Sequence, residues 1–319
     1  MQAWIDRAQH VEALGYSTLH FTDHFDRSPV SPLPIIAALA AHTTSLTLGT
    51  LVIDNDFRHP AVLAKEIATL DLITGGRIEI GLGAGWTTVD YDVSGIVYES
   101  AGVRISKLGE TLCILDDVLR GGPTDFAGSH YTVASLLSIP SSTTAARPRL
   151  IVGGGGDRVL RLASRHADVV SVNWNVGAGH TGVAAVRSVG PEDTIHKVQV
   201  IRSVAGDRFG DIELHLVAYL TAISDDMNTA LSELIAGRGL DLAPADLVAS
   251  LHCLVGSPEV IADRLVELCE TRGFSYLSVY DTVFEDFAPV VAARGRTVTR
   301  PVWMPSRPVV SRAGVIRRG

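Results

Sequence analysis

The feature that most constrains the fold is a regular alternation of short apolar runs with helical patterns, repeated at intervals of about 30 residues. Between the runs, apolar residues recur at the spacing of one helix face. Parallel strands need a crossover helix between them, so this alternation is typical of a parallel sheet. The pattern predicts an α/β fold of the (β/α)8 TIM-barrel type. Its strands are predicted at 17–21, 46–53, 77–81, 150–152, 169–173, 213–221 and 276–280.

The number of predicted strands is one short of a closed barrel. Seven core strands are predicted where eight are needed, and the chain begins with a helical pattern, so the first strand is expected to be missing from the N-terminus. The barrel is predicted to span 1–294 and a C-terminal tail 295–319. Residues 297–303 alternate like a strand and are one candidate for the empty position, although prolines and the final Arg-Arg-Gly are more typical of a poorly ordered tail.

The segment 121–148 is polar and irregular, and we predict that it is an insertion outside the barrel wall. Long insertions in enzymes of this fold often cover the active site. A lid is therefore expected there.

Composition excludes several classes of function. Hydrophobic residues make up 46% of the chain, enough for a large core, but no apolar run approaches the roughly 18 residues of a membrane span. The net charge of −8 argues against nucleic acid as a partner. The three cysteines (Cys113, Cys253 and Cys269) have no metal-ligand spacing and are expected to be reduced thiols. We therefore predict a cytoplasmic protein without a bound metal.

Two segments at predicted strand ends carry ionisable or glycine-rich sequences. Asp23 and His24 follow the first strand, where polar side chains of an α/β barrel point into the shared mouth. The imidazole of His24 can exchange a proton near neutral pH. The alternative is structural, with Asp23 capping a turn and His24 filling a niche. These residues alone leave both readings open.

The glycines point to sites of close backbone approach. Gly81, Gly83 and Gly85 lie at the end of the third predicted strand, where missing side chains let a planar ligand approach the backbone. Residues 153–156 are four glycines that open a helix, so their N–H groups form a candidate phosphate site, to which Arg158 can add charge. A flexible loop is the alternative interpretation.

Taken together, five blocks in order resemble the luciferase-like family and, within it, the branch that depends on coenzyme F420. The blocks are AQHVEALGYSTL (8–19), TDHF (22–25), FRHPAVLAKE (57–66), LDLITGGRIEIGLGAGW (70–86) and GGGGDRVLRLA (153–163). With the strand pattern they cover most of residues 1–290. No single block is diagnostic, but their order and spacing carry the resemblance.

The resemblance implies a cofactor site at the carboxyl mouth of the barrel. Asp23 and His24 would contact the deazaflavin ring and serve proton transfer, and a non-proline cis peptide is expected at Leu51–Val52, behind the ring. The cofactor-binding set implied here is Asp23, Leu51, Val52, Gly83, Gly85, Gly154, Gly155, Gly156 and Arg158. Substrate contacts are expected from Trp86, Asp90 and Tyr91.

The sequence departs from the glucose-6-phosphate dehydrogenases of this branch at two positions. Trp86 stands after Gly-Ala-Gly, where those enzymes have a catalytic glutamate, and Asp26 and Arg27 stand where they have a tryptophan. A sugar phosphate substrate is therefore placed in doubt, and the sequence names neither the substrate nor the direction of the reaction.

Three functional hypotheses follow. The first is an oxidoreductase that transfers a hydride between coenzyme F420 and a small organic substrate. The second is an FMN-dependent monooxygenase that receives reduced flavin from a partner reductase. The third is a non-catalytic barrel. The resemblance also implies a homodimer.

Overall fold

The structure is a computed structural model that describes residues 1–26, 28, 30–137, 147–176, 183–297 and 310–314. Eight parallel strands close into a barrel, as predicted. The seven strands expected from the sequence all form. In chain order the barrel strands are β1 (Thr18–Phe21), β2 (Thr47–Asp54), β3 (Ile78–Gly83), β6 (Arg149–Gly154), β7 (Val169–Val172), β8 (Glu213–Ala218), β11 (Phe274–Tyr280) and β12 (Val310–Gly314).

The eighth strand comes from the C-terminal end of the chain. Strand β12 lies between β1 and β11 and pairs with both in parallel, with Thr18 opposite Ser311 and Leu277 opposite Val310. The position expected to be empty at the first strand is thus occupied. Of the segment 297–303, proposed for this position from its alternation, only Thr297 is described, at the end of the last helix.

Helices separate the strands, and their ends follow local sequence signals. They are α1 (Gln2–Ala13), α2 (Pro32–Ala40), α3 (Pro60–Thr74), α4 (Thr88–Ser94), α5 (Ala101–Arg120), α6 (Asp157–His166), α7 (Val183–Arg187), α8 (Pro191–Ala205), α9 (Met227–Gly237), α10 (Pro244–Ala249), α11 (Pro258–Arg272) and α12 (Phe284–Thr297). Five of them begin at a proline, which lacks the N–H that the first helical turn leaves unpaired. Helices α3 and α11 end at Gly75 and Gly273, which have positive φ.

The insertion expected to be a lid is a hairpin on the outside of the barrel. Strands β4 (Pro123–Ala127) and β5 (Thr132–Leu137) pair antiparallel, and Glu110 of α5 accepts the backbone N–H groups of 129–131 at the turn. No residue from 121 to 137 lines the cavity described below, and 138–146 lie outside the described residues. The described part therefore does not provide the predicted cover.

A second layer stands instead at the carboxyl ends of β7 and β8. Strands β9 (Leu220–Ile223) and β10 (Cys253–Gly256) pair there, with α7, α9 and α10 around them. Their buried side chains, including Trp174, Leu231 and Leu247, form an apolar cluster of their own. This layer was not predicted from the sequence.

Inside the barrel, buried polar side chains pair with one another across the strands. Nε2 of His20 lies 2.7 Å from Oε1 of Glu79, and the hydroxyl of Tyr276 donates to the same oxygen. Burial acts to raise the pKa of Glu79, but the bond and charge of His20 hold it below its usual value. His215 bonds to Ser171 and Ser278, each at 2.8 Å, and burial lowers its pKa well below the usual range. These contacts tie β1, β3, β7, β8 and β11 together.

Among the described residues, the structure contains no helix with the length and apolar character needed to cross a membrane.

The closing strand can be tested by truncation. Deletion of residues 298–319 removes β12 and leaves the facing edges of β1 and β11 without partners, at a cost of about 1–3 kcal/mol for each buried backbone group left unpaired. We expect the midpoint of thermal unfolding to fall by several degrees or more, measured by circular dichroism. Deletion of 315–319 alone, which keeps β12, is the control and should leave the midpoint unchanged. Equal midpoints for both deletions would contradict the role of β12.

Candidate active site

The carboxyl ends of the barrel strands surround a cavity of about 420 Å³. Parallel strands all end at the same face of a barrel, so the residues that follow them meet there. The lining comes mainly from the segments 22–24, 51–54, 83–86, 153–156 and 173–176. All but the last of these segments had been selected from the sequence.

The floor of the cavity contains the predicted cis peptide. The bond between Leu51 and Val52 is cis, and the pairing of β2 with β3 shifts between Thr50 and Ile53. A Cβ on Gly83 would lie 2.7 Å from Cγ2 of Val52. The glycine therefore makes room for the side chain of Val52, and Leu51 and Val52 both line the cavity.

The glycine run after β6 has two separate roles. A Cβ on Gly154 would overlap the side chain of Val159, and a Cβ on Gly155 would overlap the carbonyl oxygen of Trp174. These two glycines are thus required by the packing of the protein itself. Gly156 has no atom within 4 Å of a Cβ position and is the N-cap residue of α6.

Arg158 adds a positive charge beside this open position. It lies in the first turn of α6, lines the cavity and has no carboxylate within salt-bridge distance among the described residues. The N-terminus of a helix favours an anion, because its first N–H groups are unpaired and its dipole is positive there. Gly156 and Arg158 therefore form the part of the cavity best suited to a phosphate.

His24 lines the opposite wall and is held by a buried carboxylate. Its Nδ1 lies 2.6 Å from Oδ2 of Asp90, and the other oxygen of Asp90 accepts the backbone N–H of Phe25 at 2.8 Å. The side chain of Asp90 is 1% exposed, whereas that of His24 is 19% exposed. With Nδ1 engaged, Nε2 is the ring nitrogen left for a ligand.

Asp23 also lines the cavity, but its charge is already neutralised. One oxygen of its carboxylate lies 2.5 Å from Nη1 of Arg58. This pair is partly buried and fixes the loop after β1 against the segment after β2. Arg58 was part of the FRHP block, but it had not been selected as a site residue.

The three expected substrate contacts divide into two groups. Trp86 lines the cavity and meets His24 edge to face, with ring centroids 6.0 Å apart. Asp90 and Tyr91 do not line it and lie behind His24 and Asp54. Helix α4 turns both side chains into the protein, where they are buried, so this geometry gives no support to their expected contact with substrate, which stays a prediction.

Sequence reasoning missed an aromatic wall on the far side of the cavity. Tyr219 lies 4.3 Å from Trp174 between ring centroids, stacks on His252 at 5.2 Å and donates to Asn173 Oδ1 at 2.9 Å. Burial raises the pKa of Tyr219 and lowers that of His252 to about 4, so both are uncharged at neutral pH. Asn173 and Trp174 directly follow β7, and this position at a strand end is the signal that pointed to Asp23 and His24.

Arg104 of α5 also lines the cavity and holds the Gly-Ala-Gly turn in place. It is 5% exposed and donates to the carbonyl oxygens of Ala84 and Gly85, at 3.0 and 3.4 Å, and to the hydroxyl of Tyr98. These contacts fix the backbone that leads to Trp86.

One group in the described part of the chain has donor atoms close enough to hold a metal ion. It comprises His24, Asp26 and Asp90, whose donor atoms lie within 4.8 Å of one another. The hydrogen bond between His24 and Asp90 already uses one atom of each.

Comparison with known proteins places the chain among similar sequences and folds. Residues 1–276 match the sequence model of the family described as luciferase-like monooxygenase. An F420-dependent glucose-6-phosphate dehydrogenase of Microbacterium testaceum is 28% identical over 169 residues. That match covers 49% of this chain and 48% of the dehydrogenase, so the chain spans about half the length of this relative.

Two solved structures have the same fold. A coenzyme F420-dependent tetrahydromethanopterin reductase from Methanopyrus kandleri superimposes with a TM-score of 0.72 at 19% identity, covering 92% of this chain and 94% of that one. The oxygenating constituent of 3,6-diketocamphane monooxygenase from Pseudomonas putida, in complex with FMN, gives a TM-score of 0.67 at 19% identity and covers 94% of each chain. The family match extends over most of the barrel, so the chain belongs to the luciferase-like monooxygenase family.

Proposed function

We propose that the protein is an oxidoreductase that binds coenzyme F420 and transfers a hydride between C5 of its deazaflavin ring and a small organic substrate. The observation that carries this proposal is the pairing of His24 with the buried Asp90 at the wall of the cavity. It is supported by the F420-dependent relative and by the fold shared with an F420-dependent reductase.

The residues present fit such a cofactor. A cavity of about 420 Å³ is within the usual range for cofactor sites, about 300–1,000 Å³. A flat ring would lie against the backbone of Leu51 and Val52, with Gly83 and Gly85 beside it. Its phosphate would lie at Gly156 and Arg158, where a Cβ position is open and a guanidinium has no carboxylate partner in the described part of the chain.

When bound, the deazaflavin supplies the two-electron chemistry, and the protein supplies position and a proton. The carboxylate of Asp90 holds Nδ1 of His24, so that Nε2 can hold or release a proton toward the substrate. Trp86 and the wall of Trp174 and Tyr219 exclude water. The Asp23–Arg58 pair fixes the loop that carries His24.

The second candidate is an FMN-dependent monooxygenase supplied with reduced flavin by a separate reductase. The observation in its favour is the fold shared with a monooxygenase component in complex with FMN. The two candidates use the same cavity and differ in the cofactor. A homodimer and a cytoplasmic location stay predictions.

Cofactor choice separates the two candidates. Purified protein is titrated with oxidised and reduced F420 and with FMN, and binding is followed by the change in cofactor fluorescence. We expect F420 to bind more tightly than FMN in at least one redox state. Tighter binding of FMN in both states would replace the first candidate by the second, and binding of neither would contradict both.

The phosphate position is tested by two neighbouring glycines. Gly156→Ala should leave the unfolding free energy nearly unchanged, because the Cβ meets no atom, but it should weaken cofactor binding by filling the space above the helix N-terminus. Gly155→Ala, the matched variant, should destabilise the fold by about 1–3 kcal/mol through its overlap with Trp174. Chemical denaturation and fluorescence titration measure the two effects. Unchanged affinity in Gly156→Ala would move the phosphate elsewhere.

The roles of His24 and Asp90 are tested by turnover. With the best acceptor from a panel of ketones and enones, His24→Ala should lower the rate of reduced-F420 consumption by about 10²–10⁴-fold, with little change in F420 affinity. Asp90→Asn should lower it less, because the amide oxygen can still accept from Nδ1. Asp92→Asn, an exposed neighbour on α4, is the control. Turnover at the control's rate in His24→Ala would remove His24 from the mechanism.

A further inference from the structure

A second acidic group, Asp54, lines the same cavity and has no part in the mechanism above. It is the last residue of β2, two positions after the cis peptide, and it is 7% exposed. It therefore lies beside the backbone against which the cofactor ring is proposed to bind. Gly85 leaves room for it, since a Cβ there would lie 2.5 Å from Oδ2 of Asp54.

Asp54 shares one hydroxyl group with a second carboxyl. The hydroxyl of Tyr91 lies 3.2 Å from Oδ2 of Asp54 and 3.1 Å from Oδ2 of Asp56. The backbone N–H of Asp56 donates to Oδ1 of Asp54 at 3.0 Å. A tyrosine hydroxyl has one proton to donate, so it cannot satisfy two carboxylates at once. Once the hydroxyl donates to one carboxylate, the other carboxyl faces the hydroxyl oxygen, and it is favoured there when it carries a proton that it can donate to that oxygen.

The surrounding charges decide which carboxyl carries the proton. Burial raises the pKa of Asp56 too, but Nζ of Lys107, 3.8 Å from Oδ1 of Asp56, and the charge of Arg104 favour its ionised form and oppose that rise. Glu99, bound to Lys107, opposes this in part. Asp54 has no cation within 4 Å among the described residues. Ionisation is therefore least favourable at Asp54.

Burial and the neighbouring carboxylates also disfavour the ionised form of Asp54, and two hydrogen bonds oppose them. Burial raises the pKa of Asp54 to about 7, and the nearby charges of Asp56 and Asp23 add to the rise, while the hydrogen bonds from Asp56 and Tyr91 oppose it. Burial and the charges of Asp54 and Asp56 raise the pKa of Tyr91, which keeps its proton. His24 lines the same cavity but is held by Asp90, so it offers Asp54 no charge-neutralising contact in the described residues.

We propose that Asp54 is a second proton donor of the cavity. When a ligand binds, its carboxyl O–H turns from the hydroxyl oxygen of Tyr91 and donates a hydrogen bond to a carbonyl oxygen or an unprotonated nitrogen at the edge of the cofactor ring. This inference rests on the proposed function. Tyr91 and Asp56 are positioning residues that complete the chain from Asp54 toward Lys107. A ligand held in this way binds the protonated protein better than the ionised one, so its affinity falls as the pH rises through the pKa of Asp54.

The first arm of the test needs no ligand. Infrared titration of the wild-type protein should reveal a protonated carboxyl group that disappears near pH 7 and is absent in Asp54→Asn. The asparagine is isosteric and keeps an acceptor for the N–H of Asp56, and circular dichroism checks its fold. Asp92→Asn, on the exposed face of α4, should retain the signal. If every protonated carboxyl signal of the wild type has already disappeared when the pH is raised to about 5, the proposal is overturned.

The second arm measures calorimetric binding of oxidised F420 between pH 6 and pH 9. At pH 8 the wild type should take up protons that Asp54→Asn does not, measured from buffers with different ionisation enthalpies. For each pH unit above 7, the affinity of the wild type for oxidised F420 should fall by up to about tenfold relative to the affinity of Asp54→Asn. F420 binding with the same pH dependence in both proteins would overturn the role of Asp54 and leave the proposed function standing. Absence of F420 and FMN binding at every pH would overturn both.

Discussion

The structure depends on the closure of a parallel sheet. Each strand of the barrel has two hydrogen-bonding edges, and a buried edge without a partner costs free energy for every unpaired group. Seven strands leave an edge on β1 and another on β11, and β12 satisfies both. Closure also fixes the tilt of the strands and, with it, the place where their carboxyl ends converge.

That convergence explains why the candidate site draws on residues so far apart in sequence. His24, Val52, Trp86, Gly156 and Trp174 each follow or end a different strand, and no helix or loop alone could bring them together. The buried contacts behind them, Asp90 on His24 and Arg104 on the Gly-Ala-Gly turn, convert flexible loops into fixed walls. A cavity wall that is already ordered binds a rigid ring without the entropic cost of ordering the loops on binding.

Periodicity predicted the seven strands because each is buried on both faces and reads as a continuous apolar run. The cis peptide came from the resemblance and not from local sequence, because nothing in Leu51–Val52 alone demands it. Asp54 was missed because the apolar run ends just before it, and its partner Tyr91 comes from another segment. Asp90, expected to contact substrate, is buried and does not line the cavity. Sequence spacing does not tell which face of a short helix turns inward.

The insertion that was expected to be a lid and the layer around β9 and β10 differ in where they stand between strands and helices. An insertion that follows a helix and precedes a strand enters the barrel at the amino ends of the strands, whereas one that follows a strand leaves from the carboxyl ends. The hairpin of 123–137 is of the first kind, and the layer around β9 and β10 is of the second. Length and polarity alone did not distinguish the two, but their position in the strand–helix order does.

The position of β12 has a consequence for biosynthesis. The strand that closes the barrel is separated from its partner β1 by nearly the whole chain. Until β12 has been translated and has paired, β1 and β11 therefore keep open edges, and the cylinder cannot close. A chain without β12 is thus exposed to pairing with foreign strands, and the pairing of β12 ends that exposure.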